Sequence, residues 1–289
     1  MVNMIKNFKE KVANLSELVM FQHSIFSFPF IFIAMVVASN GWFGFKLLFL
    51  GALSAIGARN FAMGVNRYLD RDIDILNNRT KTRPSVDGRV SQKVMIIFIA
   101  LNALLFILVA YFINDLAFML SFPILVILAS YTIFKRFSSL AHIILGISLG
   151  LAPIAGDVAV SGEIHLWAIF LAVGVTFWVA GFDLLYSLQD IDFDILHKLH
   201  SIPSKFGAER TLLLAKIFHM ITIIFWLLFV IEAKLEFFAV FAVVLSAFLL
   251  GYEHYLIHKD FNKIDKAFFT VNGYLGIIFF VLVVIDVAF

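Results

Sequence analysis

Apolar stretches long enough to cross a membrane recur along the whole of this chain. A helical crossing takes about 20 residues, because each residue adds about 1.5 Å towards a hydrocarbon layer of about 30 Å. Runs of that length lie at about 18–39, 44–66, 93–113, 115–134, 139–160, 165–188, 211–231, 234–257 and 267–288. None shows the polar–apolar alternation of a transmembrane β-strand. Each therefore reads as a helix, which satisfies its own backbone in lipid. The fold class predicted is all-α: a polytopic membrane protein with nine transmembrane helices. A composition of 62% hydrophobic and 15% charged residues agrees and excludes an ordinary soluble enzyme. The net charge of +2 favours no charged macromolecule. No nucleic acid partner is expected, since the basic residues sit in short loops rather than on one face. There is no cysteine, so disulfides and thiolate metal sites are excluded. Met1 to Glu17 leads into the first apolar run without a small-residue cleavage site, and no removable signal peptide is expected.

The loops alternate in charge. Lys6, Lys9 and Lys11 precede the first span. Arg71, Arg79, Lys81, Arg83, Arg89 and Lys93 follow the second; Lys135 and Arg136 the fourth; Lys198, Lys205 and Arg210 the sixth; Lys259, Lys263 and Lys266 the eighth. The opposite loops hold only Lys46 and Lys234. This bias puts the N-terminus and the basic loops in the cytoplasm and the C-terminus outside, in a cell inner membrane.

The second span ends in Asn66-Arg67-Tyr68-Leu69-Asp70-Arg71-Asp72-Ile73-Asp74. Asn66, Asp70 and Asp74 are four residues apart and share a helix face. Like charges at that spacing cost roughly 0.2–0.5 kcal/mol per pair, which a divalent cation offsets. The sixth span ends the same way, with Asp190 and Asp194 in step and Asp192 between them. Both acidic ends fall on one membrane face, four spans apart. A parallel internal repeat brings them face to face, around a central cavity open to the cytoplasmic side. The basic loops 75–92 and 195–209 are candidate lids, with Gly88 and Gly207 as turn or helix-stop positions.

Opposed carboxylates beside Arg and Lys suit a diphosphate. Mg2+ prefers one or two carboxylates with phosphate oxygens and water. Asp70 and Asp74 on one side, and Asp190 and Asp194 on the other, can hold two such ions, with Asn66 as a neutral oxygen ligand. Arg79, Lys81 and Arg83 can neutralise the remaining phosphate charge. A lipid setting points to a prenyl diphosphate, whose ionisation leaves a cation that aromatic faces stabilise. Tyr68, Phe177, Trp178, Phe182 and Tyr186 are nearest by position. An electron-rich aromatic acceptor completes the reaction.

Read as a solvated helix end, Asp70 to Asp74 would only pair with Arg67 and Arg71, which leaves the convergence of several boundary acids without a reason. Asp72 and Asp192 lie off the main face and suit solvent. Single loop cations are as readily topology signals. His23 reads as an interhelical hydrogen-bonding group, and Asn272 and Tyr274 as helix bridges. Asp183, one turn before Tyr186, needs a buried partner and reads as support for the site.

Asn66-x3-Asp70-x3-Asp74, followed by Asn78-Arg79-Thr80-x2-Arg83-Pro84 and Gly88, resembles the first signature of the UbiA family of intramembrane prenyltransferases. Tyr186-x3-Asp190-x3-Asp194, then His200-Ser201-Ile202-Pro203 and Phe206-Gly207, resembles its second. Tyr131-x3-Lys135-Arg136 resembles the segment after the fourth span in quinone-making members. The resemblance spans 1–289 as a single prenyltransferase domain. It implies Mg2+, a polyprenyl diphosphate donor and an aromatic acid acceptor alkylated on carbon. Asn66, Asp70 and Asp74 are then metal ligands for one ion, and Asp190 and Asp194 for the other. Asp70 and Asp190 are the catalytic carboxylates, Asp190 also as a group that deprotonates or orients the acceptor. Arg79, Lys81 and Arg83 contact diphosphate. Tyr186, Arg136 and Lys198 are the substrate-binding set, Arg136 for the acceptor's carboxylate.

Phe21-Gln22-His23-Ser24-Ile25-Phe26, Phe28-Pro29-Phe30 and His200-Ser201-Ile202-Pro203 are similar to part of the 4-hydroxybenzoate polyprenyltransferase branch. That implies 4-hydroxybenzoate as acceptor in ubiquinone or menaquinone biosynthesis. The alternative acceptor is 1,4-dihydroxy-6-naphthoate, because the better-known 4-hydroxybenzoate enzymes commonly carry Lys where this chain has His200. A reading of another class is a cation-coupled secondary transporter. Transporters place ionisable groups near the membrane midplane, whereas here they cluster at one face.

Overall fold

The computed structural model describes residues 10, 13–20, 28–260, 264 and 267–289. Lys6, Lys9, Lys11, Phe21 to Phe26 (with His23), Lys263 and Lys266 lie outside them. The described chain is helical and contains no strand. In order the helices are α1 (Phe28–Ser39), α2 (Phe45–Leu69), the single turn α3 (Arg71–Asp74), α4 (Gln92–Ile113), α5 (Asp115–Phe134) and α6 (Ala141–Ser161). Then come α7 (Leu166–Ser187), a 3-10 turn at Leu188–Asp190, α8 (Ile191–Leu196), α9 (Ile202–Glu232), α10 (Phe237–Lys259) and α11 (Asn272–Ala288). Among the described residues eight helical segments are long and apolar enough to cross a membrane, and α1 is a shorter apolar helix. The protein is an integral, polytopic membrane protein.

Helix ends follow local chemistry. Ser91 caps α4 by accepting from the Val94 amide, and Asn114 ends α4 and caps α5 through Ala117. Gly162, at φ 75°, closes α6 in the left-handed conformation. One boundary departs from expectation. Helix α9 begins at Ile202 instead of near 211, because Ser201 and Ser204 form a reciprocal capping box with Pro203 in the first turn. Gly207 then breaks the helix with φ 79° and ψ 171°, so the expected loop 195–209 is largely helical. The other loop contains no helix over residues 75–91, and Gln92 already opens α4. The Arg71 side chain ties it down by donating to the Ser85 carbonyl (2.7 Å).

Helices α1, α6, α7, α9, α10 and α11 pack in sequence into a closed ring, with α2, α4 and α5 joined to it through α6 and α1. Close approach at α6 sets this geometry. A Cβ on Gly146 would meet the Thr176 carbonyl oxygen at 2.2 Å, and one on Gly156 the Ile31 carbonyl at 2.4 Å. Small residues are what let membrane helices pack this tightly. Gly146→Ala should therefore push α6 from α7 and cost about 1–3 kcal/mol, read as earlier thermal loss of monodisperse protein in detergent. Unchanged thermal behaviour would remove this contact from the account.

The ring's centre is aromatic: Phe30, Trp178, Trp226, Phe229 and Phe279 are buried against one another. Asn272 bridges helices, as its type suggested. It accepts from Trp178 Nε1 (2.8 Å) and donates to Glu253 Oε1 (2.7 Å). Tyr274 is 60% exposed and bridges nothing at that face.

Candidate active site

Helix α2 delivers the first acidic step and the end of α7 with α8 delivers the second. Both open on one polar cavity, lined among others by Asn66, Asp70, Asp74, Asp183, Asp190 and Asp194. Every acid of the two expected steps is there. Asp70, just past the end of α2, is 2% exposed. It accepts from Asn66 Nδ2 (2.8 Å) and is ion-paired with Lys135. Burial pushes its carboxyl above the usual range, against the pull of Lys135. Its Oδ1 is buried with no hydrogen-bond partner. Asp74 is held by Arg83, whose Nη1 donates to both oxygens at 2.8 Å.

On the opposite wall Arg79 reaches across from the 75–92 loop to Asp190. Asn77 Nδ2 donates to the same carboxylate (3.1 Å). Arg79 also donates to the Tyr186 hydroxyl (3.1 Å), with its guanidinium 5.4 Å from that ring's centre. The Arg79 and Asn77 contacts tie the two acidic ends together. Asp183 accepts from His142 across α6 and α7 (Nδ1···Oδ2 2.7 Å).

Three cations of the expected binding set stay outside the cavity. Lys81 is exposed and bonds Asn78 Oδ1 (2.8 Å). Lys198 is exposed past the end of α8 at φ 56°. Arg136 donates to Asp72 (2.7 Å) and the Leu69 carbonyl (2.6 Å). That hydrogen-bonded pair holds the Asp72 carboxyl below the usual carboxylate range. Asp72 thus faces outward, as its position between the steps indicated. Asn66 lines the cavity, but its amide oxygen accepts from Arg67 Nη1 (3.0 Å) and its nitrogen faces Asp70. Ligation through that oxygen needs the amide to turn.

Lys135 and His142 are the inward groups that sequence reasoning passed over. Lys135 follows the end of α5, three residues after Thr132, and Thr132 accepts from Asn66 Nδ2 (3.2 Å), so the packing of α5 turns this face towards the acids. His142 carried no local signal, since only the packing of α6 on α7 reveals its partner.

Below the polar cavity lies an apolar chamber walled by alanines and leucines such as Ala58, Ala62, Leu128 and Leu149. Tyr131 and Leu145 line both spaces, so the two adjoin. Among the described residues Arg59 is the one cation that lines the chamber. Its Nη2 donates to the Met20 carbonyl (3.0 Å), while its Nε is buried without a partner.

The donor set fits a hard cation that keeps exogenous ligands. Among the described residues no three acids or imidazoles converge closely enough to hold a metal ion alone. Magnesium does not need that, because one or two carboxylates with phosphate and water suffice. The unpartnered, buried Asp70 Oδ1 is an acceptor in want of a cation.

A membrane-crossing helix bundle that gathers five carboxylates, three arginines and a lysine above an apolar chamber has the architecture of an intramembrane enzyme. Its substrate would have a polyanionic head and a hydrocarbon tail. Residues 27–283 match the model of the UbiA prenyltransferase family, and the chain belongs to that family. It is 30% identical over 249 residues to a 4-hydroxybenzoate octaprenyltransferase of Methylobacillus flagellatus, covering 85% of this chain and 82% of that one. The apo structure of a UbiA homologue from Aeropyrum pernix K1 superposes with a TM-score of 0.83 at 30% identity, over 91% of this chain and 98% of that one. A UbiA homologue from Archaeoglobus fulgidus, bound to DMAPP and Mg2+, shares the fold with a TM-score of 0.75 at 20% identity, over 95% of this chain and 99% of that one.

Proposed function

We propose that residues 1–289 form a single Mg2+-dependent prenyltransferase domain. It moves a polyprenyl group from its diphosphate to a ring carbon of an aromatic acid, with 4-hydroxybenzoate the first choice, in quinone biosynthesis. The observation that carries this reading is the meeting of two acidic helix ends at one cavity, each already paired with a cation, beside an apolar chamber. The basic loops beside that cavity support an opening at the cytoplasmic face of the inner membrane. Relatives with the matching name support the acceptor.

Asp70 and Asp74, with Asn66 once its amide turns, would hold one Mg2+, and Asp190 and Asp194 the other. When bound, the ions neutralise the diphosphate and act as Lewis acids on the departing oxygen. The chain's own contribution is an exchange of partners. Arg79 and Arg83 now neutralise Asp190 and Asp74; on donor entry they turn to the phosphate oxygens and free both carboxylates. Lys135 can do the same from Asp70. The tail lies among the alanines of the chamber, which excludes water from the reacting carbon. Tyr186 offers an aromatic face in the polar cavity.

With Arg136 committed to Asp72, the acceptor's carboxylate falls to Arg59 and its unpartnered Nε. Arg59→Met should raise the KM for the aromatic acid about tenfold or more and leave the donor KM within a factor of about two. An unchanged acceptor KM would remove Arg59 from that role.

Prenyl transfer in membranes containing the protein tests the whole reading, with 4-hydroxybenzoate and the dihydroxynaphthoate in parallel and with magnesium added or chelated. Magnesium-dependent product from 4-hydroxybenzoate is expected. Product only from the naphthoate keeps the chemistry and changes the acceptor. No product from any aromatic acid, with folded protein, overturns the assignment.

A further inference from the structure

Five carboxylates line the polar cavity, and four of them belong to the two acidic steps. The fifth, Asp183, does not. It lies on α7 seven residues before Asp190, which sits in the 3-10 turn after that helix, and both line the same cavity. That sets it roughly 10 Å deeper than the diphosphate end of the cavity. Its partner His142 is one turn before Leu145 on α6, and Leu145 lines both the polar cavity and the apolar chamber. The pair therefore sits where a charged head gives way to a hydrocarbon tail, which is the level of the reacting carbon.

The partner decides what Asp183 can do. Asp70, Asp74 and Asp190 are neutralised by Lys135, Arg83 and Arg79. In the proposed loaded site Asp70, Asp74, Asp190 and Asp194 would hold the divalent ions, and a carboxylate on a cation is a weak base, because the cation favours the ionised form. Asp190 in particular is held by Arg79 and Asn77 together. Asp183 has a histidine instead. The Ile202 backbone N–H faces His142 Nε2 at 3.4 Å. An amide N–H can only donate, so Nε2 is the lone pair and Nδ1 carries the hydrogen. His142 is then a neutral donor to Asp183 Oδ2 at 2.7 Å. It is 6% exposed and fixed by helices on two sides, whereas the Asp183 side chain keeps 23% of its surface open. Among the described residues Oδ1 has no hydrogen-bond partner in the structure.

We infer that Asp183, aimed by His142, takes the ring proton of the aromatic acceptor. This rests on the prenyl-transfer reading and names the base that reading requires. The allylic C–O bond breaks with its electron pair leaving on the diphosphate. A π pair of the acceptor ring forms the new C–C bond. The C–H bond at that ring carbon then breaks, its pair restores the aromatic ring, and the proton moves to Asp183 Oδ1. From there it leaves to water through the polar cavity. No oxidant or reductant is consumed. His142 is a positioning residue, acting only through Asp183.

Asp183→Asn is close to isosteric, and its amide oxygen can still accept from His142 Nδ1, so the packing of α6 on α7 is retained. The test compares 4-hydroxybenzoate with the same acid deuterated at its ring positions, in full-length protein in membranes. In wild type, proton loss follows the slow ionisation, and the isotope effect on kcat is about 1. In Asp183→Asn, kcat should fall roughly 100-fold and the isotope effect rise to about 2 or more, because removal of a general base makes proton loss limiting. The donor KM and the magnesium dependence should stay within about twofold, which a merely structural defect would not allow. His142→Leu should show a smaller loss with an isotope effect above unity, and His142→Gln, which keeps a donor, should recover part of it. Wild-type kcat in Asp183→Asn, or a slow variant whose isotope effect stays at unity, overturns the inference. A wild-type protein that prenylates no aromatic acid overturns the functional reading instead.

Discussion

Asp70→Asn should lower prenyl transfer about a thousandfold, equivalent to roughly 4 kcal/mol of transition-state stabilisation. The substitution keeps the shape of the residue and removes its charge. Two effects follow, and their sizes separate them. Lys135 loses its carboxylate, but 29% of its side chain is exposed and it can turn to water, so the fold survives. The buried Oδ1 loses its power to hold a cation against a departing diphosphate, and Lewis-acid stabilisation is worth several kcal/mol. Function therefore falls far more than stability. The control is Asp72→Asn, two residues on. Asp72 faces outward with Arg136, in an exposed pair worth about 0–1 kcal/mol. Its turnover should stay within about threefold of wild type. Initial rates with saturating donor, set beside the thermal stability of each variant, check both expectations. Equal losses at the two positions would contradict the metal assignment.

Arg79→Gln should raise the donor KM about 10–100-fold, with a smaller change in kcat. A charge-assisted hydrogen bond is worth roughly 1.5–3 kcal/mol. Arg79 makes such bonds to Asp190 in the free protein and is proposed to move them to the diphosphate. The variant also frees Asp190 for a cation, which offsets part of the loss. Arg136→Gln should leave the donor KM within about threefold, since its guanidinium is spent on Asp72 and the Leu69 carbonyl. Donor titrations at fixed acceptor separate the two. A donor KM that moves with Arg136 and ignores Arg79 would reverse their roles.

The contrast between Arg79 and Arg136 shows where the sequence was legible. The acidic steps were readable because carboxylates every four residues fall on one helix face. Their meeting at one cavity was readable because the basic loops put both ends at one membrane surface. Lys135 and Arg136 were not separable in the same way. They are adjacent, so about 100° of helix rotation parts them, and only the packing of α5 decides which points inward. Lys81 and Lys198 failed to reach the cavity because loop cations owe their presence to topology as much as to ligands. Asp183 was legible as a buried acid in need of a partner. The partner, His142, is 41 positions away on another helix, and no periodicity within one helix could find it. The early start of α9 was hidden for a related reason. A capping box and a glycine break are short local features that an apolar run does not register.

In the proposed enzyme the two acidic helix ends each hold one divalent ion against a diphosphate. The most direct test is the number of Mn2+ ions bound per chain, read by electron paramagnetic resonance, with a prenyl thiodiphosphate that resists ionisation. Wild type should bind two ions, and Asp70→Asn and Asp194→Asn one each. Two ions in both variants, or none in wild type with the analogue bound, would contradict the account.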